Sequence, residues 1–341
     1  MKVLVTGGCG FIGSHVVRLL ISKGVAVVNL DKLTYAGNPE NVCEAGQSRL
    51  YRFIQGDICD AKTVAGAADD VDGIINLAAE THVDRSILNP GEFVRTDMLG
   101  TYVLLEAARQ AKVKFFVQVS TDEVYGSILK GKFRETDPVR PTNPYSASKL
   151  GADRLAYSYC STYGLRVSIT RGSNTYGPRQ FPEKLIPLTI IRALAGEPIP
   201  VYGDGRNVRD WLHVEDHARA IWTVARRGKA GEVYNISGRC ERENIWTVRK
   251  IIRALDRPLS LIQYVKDREG HDRRYALDDR KIRSELGWTR SHPDFARELV
   301  HTARWYRDNR RWWEPTVKRN AAFKAYFQRQ YGGRWKKKGA R

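Results

Sequence analysis

The sequence predicts an α/β fold: a doubly wound parallel sheet with a smaller, partly interleaved C-terminal domain. Three observations predict it. Short apolar runs alternate with stretches of helical periodicity through the first half of the 341 residues. Those runs are rich in β-branched residues, as expected of parallel strands covered by helices on both faces. After about Gly172 the pattern breaks, and Pro and Gly become frequent.

The predicted strands are Val3–Thr6, Ala26–Leu30, Arg52–Ile54, Gly73–Leu77, Phe115–Val119 and Val167–Thr170. Val16–Ser22, Tyr102–Gln110 and Lys149–Tyr163 carry apolar residues at helical spacing. Gly177-Pro178, Pro182, Pro187, Pro198, Pro200 and Gly203-Asp204-Gly205 mark the irregular second region. The expected division is 1–172 for the sheet domain, with later segments returning to it, 173–331 for the substrate-binding domain, and 332–341 for a disordered basic tail. Ligands of such sheets bind beyond the carboxyl ends of the strands, so functional motifs are expected just after strands.

Apolar residues make up 42% of the chain, enough for a sizeable core. No leader of signal type is visible, and no apolar run approaches the roughly 20 residues of a membrane span. A soluble cytoplasmic protein without a membrane partner is expected. Cys9, Cys43, Cys59, Cys160 and Cys240 show no C-x-x-C spacing and read as reduced thiols. The seven histidines contain no H-E-x-x-H, and no protein metal site is expected. The net charge is +19. Part of it lies in the acid-free tail: Lys318, Arg319, Lys324, Arg329, Arg334, Lys336, Lys337, Lys338 and Arg341, interleaved with Phe323, Tyr326, Phe327, Tyr331 and Trp335. A docked amphipathic helix with a frayed basic end is expected there, rather than a nucleic-acid site. The remaining positive charge would steer an anionic diphosphate.

Thr6-Gly7-Gly8-Cys9-Gly10-Phe11-Ile12-Gly13 follows the first strand and opens a helix. Gly7, Gly10 and Gly13 permit a tight turn and close approach to a diphosphate, and the helix N-terminus supplies N–H groups. Asp31 ends the second strand, where its carboxylate can accept from ribose hydroxyls and repel a 2′-phosphate, which favours NAD over NADP despite the adjacent Lys32. Leu33 and Thr34 continue this edge. Asp57-Ile58 would border the adenine, and Leu77-Ala78-Ala79 bring small residues to the fourth strand end.

Tyr145-Ser146-Ala147-Ser148-Lys149 follows Asn143-Pro144, a cap and first-turn proline. Tyr145 and Lys149 then share a helix face. A phenol titrates near ~10, and a neighbouring ammonium and a positive nicotinamide ring would favour phenolate. Ser120-Thr121-Asp122-Glu123 follows the fifth strand. Thr121 can hold a reacting hydroxyl. Asp122 and Glu123 read either as an acid–base pair for elimination or as acidic first-turn residues of a cap.

Together the glycine string, Ser-Thr-Asp-Glu-Val-Tyr-Gly at 120–126 and Tyr-x-x-x-Lys resemble the extended short-chain dehydrogenases, and within them the dTDP-glucose 4,6-dehydratases. The likeness runs from residue 1 to about 331 and includes Leu77-Ala78-Ala79-Glu80-Thr81-His82-Val83-Asp84, Arg209-Asp210-Trp211-Leu212-His213-Val214-Glu215-Asp216-His217 and Gly270-His271-Asp272-Arg273. It implies a Rossmann-type fold, recycled NAD, and dehydration of dTDP-glucose to a 4-keto-6-deoxy sugar for deoxysugar synthesis. Tyr145 would deprotonate the C4 hydroxyl, Glu123 would remove the C5 proton, and Asp122 would protonate the departing C6 hydroxyl. The resemblance also places Thr96, Lys149 and Thr175 on the cofactor. It places Thr81, Thr121, Asn174, Lys184, Leu185, Pro200, Tyr202, Arg209, Asn244, Arg268 and His271 on the substrate. Thr175 and Glu269 depart from the family pattern, which usually has Asn and Pro there. A homodimer through a bundle of the Tyr102–Gln110 and Lys149–Tyr163 helices is implied.

Nucleotide-sugar 4-epimerases and decarboxylases would share the glycines, Tyr145 and Lys149 but would not need Asp122 and Glu123. A UDP- or GDP-sugar dehydratase would use the same pair. A non-catalytic NAD sensor or nucleic-acid-binding protein would be free to lose all four residues.

Overall fold

The computed structural model describes residues 1–267, 270–318 and 321–332. Arg268, Glu269 and the basic end from residue 333 onward lie outside the described residues.

The strands are β1 (Lys2–Thr6), β2 (Ala26–Asp31), β3 (Tyr51–Gln55), β4 (Gly73–Asn76), β5 (Phe115–Thr121), β6 (Val167–Gly172), β7 (Asn174–Tyr176), β8 (Ile199–Tyr202), β9 (Val208–His213), β10 (Val233–Ile236), β11 (Glu241–Glu243) and β12 (Ile262–Val265). Seven of them form one sheet in the order β3-β2-β1-β4-β5-β6-β10, parallel throughout. The chain starts at β1, winds outward to β3, then crosses back to β4 on the other side. A crevice therefore opens above β1 and β4, where adjacent connections leave in opposite directions.

Burial explains the sequence pattern. Every residue of β4 and β5 is buried, whereas the edge strand β3 is partly exposed. One face is covered by Val16, Val17 and Leu20 of the helix Phe11–Ser22 together with Ile221 and Val224 of Val214–Arg227. The other face is covered by Leu104 and Leu105 of Gly100–Gln110 and Ala156 and Tyr159 of Pro144–Tyr163. The helix Val214–Arg227 and strand β10 come from the second half of the chain, so the two regions interleave.

The smaller region consists of an antiparallel and parallel trio, β11-β9-β7, and a parallel pair, β12-β8. Its core is aromatic: Tyr176, Trp211, Phe295, Tyr306 and Trp313, with Trp211 stacked on Phe295 at 5.8 Å. The helix Ala321–Tyr331 docks onto this region. Phe323 meets Phe181 edge-on at 6.0 Å, and Tyr331 stacks on Tyr202 at 5.8 Å. The amphipathic helix expected in the tail is thus present. A π-helical segment, Val94–Leu99, has no counterpart in the predicted elements.

Behind the end of β5, Arg171 of β6 pairs with Asp153 at 3.1 Å, both essentially without solvent contact. Removing one partner leaves an uncompensated buried charge, which costs more than replacing both by apolar groups. Arg171→Met is expected to lower unfolding stability by about 3–5 kcal/mol, and Arg171→Met with Asp153→Leu to recover most of it. Urea denaturation of the three proteins checks this; equal losses in single and double variants would refute it.

Candidate active site

One cleft of about 300 Å³ runs along the carboxyl ends of the sheet strands. Its floor is the glycine loop. Gly7 has φ +68°, and a Cβ there would fall 2.8 Å from the Ala78 nitrogen; one on Gly13 would fall 2.1 Å from the Gly7 carbonyl oxygen. Only glycine allows the β1 turn, the start of the helix and the end of β4 to pack this closely. The result is a concave backbone surface with helix N–H groups behind it, which suits a diphosphate.

Gly7, Gly10, Phe11, Ile12, Gly13, Asp31, Lys32, Thr34, Asp57, Ile58, Leu77, Ala78, Ala79, Thr96, Tyr145, Lys149 and Thr175 all line the cleft. Leu33 does not. It has φ +57° and donates its N–H to Asp31 Oδ1 at 2.8 Å. The Cys9 N–H donates to Asp31 Oδ2 at 2.9 Å, so Asp31 also ties the glycine loop to the end of β2. Burial raises its carboxyl above the usual range, and these two N–H groups oppose that. Lys32 is held by Asp57 at 2.9 Å, so its charge is already partnered.

The catalytic candidates meet at the end of β5. Thr121 caps the short turn Asp122–Tyr125, accepting from the Glu123 N–H at 3.2 Å and donating to Asp122 Oδ1 at 3.2 Å. The cap reading of this stretch is therefore correct as local structure, and it fixes where the two carboxyls sit. Asp122 is buried, and its Oδ2 has no hydrogen-bond partner. Burial, then Glu123 and Asp210, push its carboxyl well above the usual range, which favours its protonated form.

Tyr145 enters from the helix Pro144–Tyr163, whose start is set by a capping box: the Asn143 side chain accepts from the Ser146 N–H at 2.9 Å. Its ring packs edge-on against Phe93 at 6.2 Å. Burial, then Glu123 and Asp97, drive the phenol upward, while the Thr121 hydroxyl pulls the other way. The Lys149 ammonium donates to the Val119 carbonyl at 2.8 Å, and the chain's own groups hold the phenol protonated.

Of the substrate candidates, Thr81, Thr121, Asn174 and Lys184 line the cleft, with Lys184 Nζ donating to the Thr81 carbonyl at 2.8 Å. Leu185, Pro200, Tyr202, Arg209, Asn244 and His271 do not. Arg209 is buried over the Tyr275 ring at 4.5 Å and donates to the Asp272 carbonyl at 3.0 Å. Its charge still reaches Asp122 and lowers that carboxyl. His271 meets Asp267 at 2.6 Å, and Tyr202 lies edge-on to it at 5.9 Å. Leu185 begins the helix Leu185–Ala195, Asn244 begins Asn244–Ala254, and Pro200 lies in β8. Arg268 lies outside the described residues.

Three groups at or beside the cleft escaped reading as site residues: Glu80 and His217 line it, and Asp97 lies next to Glu80. Glu80 is driven to about 7 by burial and then by Asp97. Asp97, in the π-helical segment, is driven to about 6 by burial, against the opposing pull of Lys149. It accepts from the Glu80 N–H at 2.9 Å and the Ser148 hydroxyl at 2.7 Å. His217 is kept neutral by burial, near 4, and its Nδ1 is hydrogen-bonded to the Thr175 hydroxyl at 2.8 Å. The signal for Glu80 and His217 was their place in long matching stretches. Nothing in the sequence marked Asp97.

A family model described as GDP-mannose 4,6 dehydratase matches residues 4–296. A dTDP-glucose 4,6-dehydratase of an Actinoplanes species is 50% identical over 320 residues, covering 92% of this chain and 100% of that protein. The chain belongs to the dTDP-glucose 4,6-dehydratase family. The dehydratase of Escherichia coli is 46% identical, covering 92% of this chain and 96% of its own. The crystal structure of the dTDP-glucose 4,6-dehydratase DesIV from Streptomyces venezuelae, with NAD and TYD bound, superposes with a TM-score of 0.91 at 48% identity, covering 93% of this chain and 100% of that one. A UDP-glucose 4-epimerase from Thermus thermophilus, in complex with NAD, is 31% identical with a TM-score of 0.84, covering 91% and 100%.

The raised Glu80 carboxyl makes stability depend on pH. The folded chain keeps a proton that the unfolded chain releases above its ordinary 4.5, so the contribution is complete below that value and is lost as pH rises through about 7. Between pH 5 and 8 the wild-type chain is expected to lose on the order of 1–2 kcal/mol relative to Glu80→Gln, allowing for partial solvent screening. Parallel urea-stability profiles for the two would contradict this.

Proposed function

We propose that this chain dehydrates dTDP-glucose to dTDP-4-keto-6-deoxyglucose, as a hydro-lyase that holds NAD and consumes none of it, in deoxysugar synthesis. One observation carries the reading. Asp122 and Glu123 stand at the end of β5 and line the same cleft as Tyr145, with Asp122 buried and its carboxyl pushed upward. Oxidation at C4 alone, as in epimerisation, needs Tyr145 but not this pair. Elimination needs an acid and a base on neighbouring carbons.

The glycine loop, with Gly7, Gly10 and Gly13, is the cradle for the NAD diphosphate, and Asp31 is placed for the adenosine ribose. NAD, when bound, accepts hydride from C4, returns hydride to C6, and adds positive ring charge beside a phenol that the chain's own groups push upward. Thr121 holds the C4 hydroxyl, and Tyr145 takes its proton. The new C4 ketone acidifies the C5 proton, which Glu123 removes. Asp122 gives its proton to the C6 hydroxyl, which leaves as water. Glu123 then returns a proton to C5. Burial in an apolar, carboxylate-rich site favours the protonated form of Asp122, which an acid for the C6 hydroxyl requires. Lys184, which lines the cleft, is the cation for the substrate diphosphate, and Arg209 acts on the site through its charge. Thr175, paired with His217, takes the place of the usual Asn and tunes binding rather than the proton transfers.

The helices Gly100–Gln110 and Pro144–Tyr163 expose Tyr102, Tyr157 and Tyr163. These apolar side chains support a homodimer through a helix bundle. Among the described residues, no helix is long and apolar enough to cross a membrane; we read the enzyme as cytoplasmic.

Incubation with dTDP-glucose and no added reductant is expected to give a product lighter by one water, with a 4-keto chromophore in alkali and no net NADH. Dehydration of UDP-glucose in preference, or simple epimerisation, would overturn the substrate or the reaction. Tyr145→Phe is expected to lose about 10²-fold or more in turnover, at the C4 oxidation step. Asp122→Asn and Glu123→Gln are expected to slow elimination while C4 oxidation, followed by transient NADH absorbance, survives. Unimpaired turnover in any of the three would reject the assigned role.

A further inference from the structure

We propose that Phe323, Gln330 and Tyr331, on the helix Ala321–Tyr331, are positioning residues that brace the substrate side of the cleft from behind it. This rests on the reading of Thr81 and Lys184 as substrate residues. The helix lies beyond residue 296, where the match to the family model ends. Phe323, Phe327 and Tyr331 stand at helical positions i, i+4 and i+8, so they form one stripe along about 12 Å of helix. Phe323, Gln330 and Tyr331 are buried, while Lys324 and Arg329 face solvent. The cations of this helix therefore lie on its outer face, and the aromatic stripe is what it presses onto the protein.

Each end of the stripe meets a different segment of the substrate side. At one end Phe323 packs edge-on against Phe181 at 6.0 Å. Phe181 lines the cleft, packs edge-on against Tyr35 at 5.4 Å, and accepts the Lys184 N–H on its carbonyl at 3.2 Å. At the other end Tyr331 stacks on Tyr202 at 5.8 Å with 29° between planes, and Gln330 Nε2 donates to the Tyr202 hydroxyl. That hydroxyl donates in turn to Asp84 Oδ2 at 3.3 Å, so the phenol uses its donor and its acceptor capacity together. Asp84 belongs to the same segment as Thr81, which lines the cleft.

The two segments meet where Lys184 Nζ donates to the Thr81 carbonyl at 2.8 Å. The helix thus braces both partners of that contact, one through Phe181 and the other through Tyr202 and Asp84. Between these ends the Arg192 guanidinium lies over the Phe327 ring at 4.7 Å, and Tyr331 packs with Leu188 and Val265. Arg192 and Leu188 belong to the helix Leu185–Ala195, which Lys184 caps. Phe323, Gln330 and Tyr331 do not themselves line the cleft, so they act through their neighbours. Loosening the helix therefore weakens substrate binding and leaves the glycine loop and the acids after β5 in place. By thermodynamic reciprocity, a bound substrate tightens the docking of the helix by the same factor.

The test compares full-chain variants in steady-state kinetics, with the nucleotide sugar that the wild type dehydrates. A wrong choice of substrate then shows in the wild type, and a wrong role for the helix shows only in the variants. Tyr331→Ala and Phe323→Ala are each expected to raise KM about 5- to 10-fold, with kcat and retained NAD unchanged. Tyr331→Phe keeps the stacked ring and is expected to restore the wild-type KM. Gln330→Leu keeps every ring contact and is expected to raise KM about 3-fold, which preserves the test should Tyr331→Ala fold poorly. Tryptic cleavage at Lys324 and Arg329, read by mass, needs no turnover, and saturating dTDP or UDP is expected to slow it. Unchanged KM in both alanine variants, a fall in kcat at constant KM, or cleavage indifferent to either nucleotide would overturn the proposal.

Discussion

Parallel strands covered on both faces can meet a ligand only at their ends, and only where adjacent connections part is there room for one. In this chain that place lies above β1 and β4. The rest of the site follows from it. Glycines are needed where β1 turns beneath Ala78, because any side chain there would strike backbone. Asp31 terminates the neighbouring strand and anchors the same loop through the Cys9 N–H. The end of β5 carries Thr121, Asp122 and Glu123 to one side of the crevice, and the helix from Pro144 lays Tyr145 beside them.

Low dielectric then does for proton chemistry what topology does for position. Asp122, Tyr145, Asp97 and Glu80 are all held toward their neutral forms by burial first; neighbouring carboxyls add to this for Asp122, Tyr145 and Glu80, while Lys149 opposes it for Asp97. The cations nearby are committed to backbone or to other acids: Lys149 to the Val119 carbonyl, Arg171 to Asp153, Arg209 to the Asp272 carbonyl. The acids at and beside the cleft thus lean toward their neutral forms.

The fold was legible because its determinants are local. Strand runs such as Phe115–Val119 declare themselves by composition, and Asn143-Pro144 announces a helix start that the capping box realises. The cofactor edge was legible for the same reason: Gly7, Gly10, Gly13 and Asp31 are punctuation between local elements. The substrate side was less so. Tyr202, Arg209 and His271 approach through a region whose strands pair across long separations and whose core is aromatic contact between distant segments. The electrostatics were least legible. Lys149 lies one helical turn from Tyr145 in sequence, yet its ammonium turns to the Val119 carbonyl, and the carboxylates that act on the phenol are Glu123 and then Asp97, the latter from a π-helical segment with no periodic signature.

Shape alone does not choose the reaction. The 4-epimerase superposes at a TM-score of 0.84, little below the 0.91 of the dehydratase, so one overall shape serves both chemistries. What separates them is how many protons must move after C4 is oxidised. An epimerase needs the sugar to present its other face. A dehydratase must take a proton from C5 and give one to the oxygen on C6, which demands two carboxyls held in opposite states within one site. In this chain consecutive acids at one strand end, Asp122 buried and Glu123 half-buried, both line the cleft. The short capped turn after β5, where Thr121 fixes the backbone, sets where these two carboxyls stand.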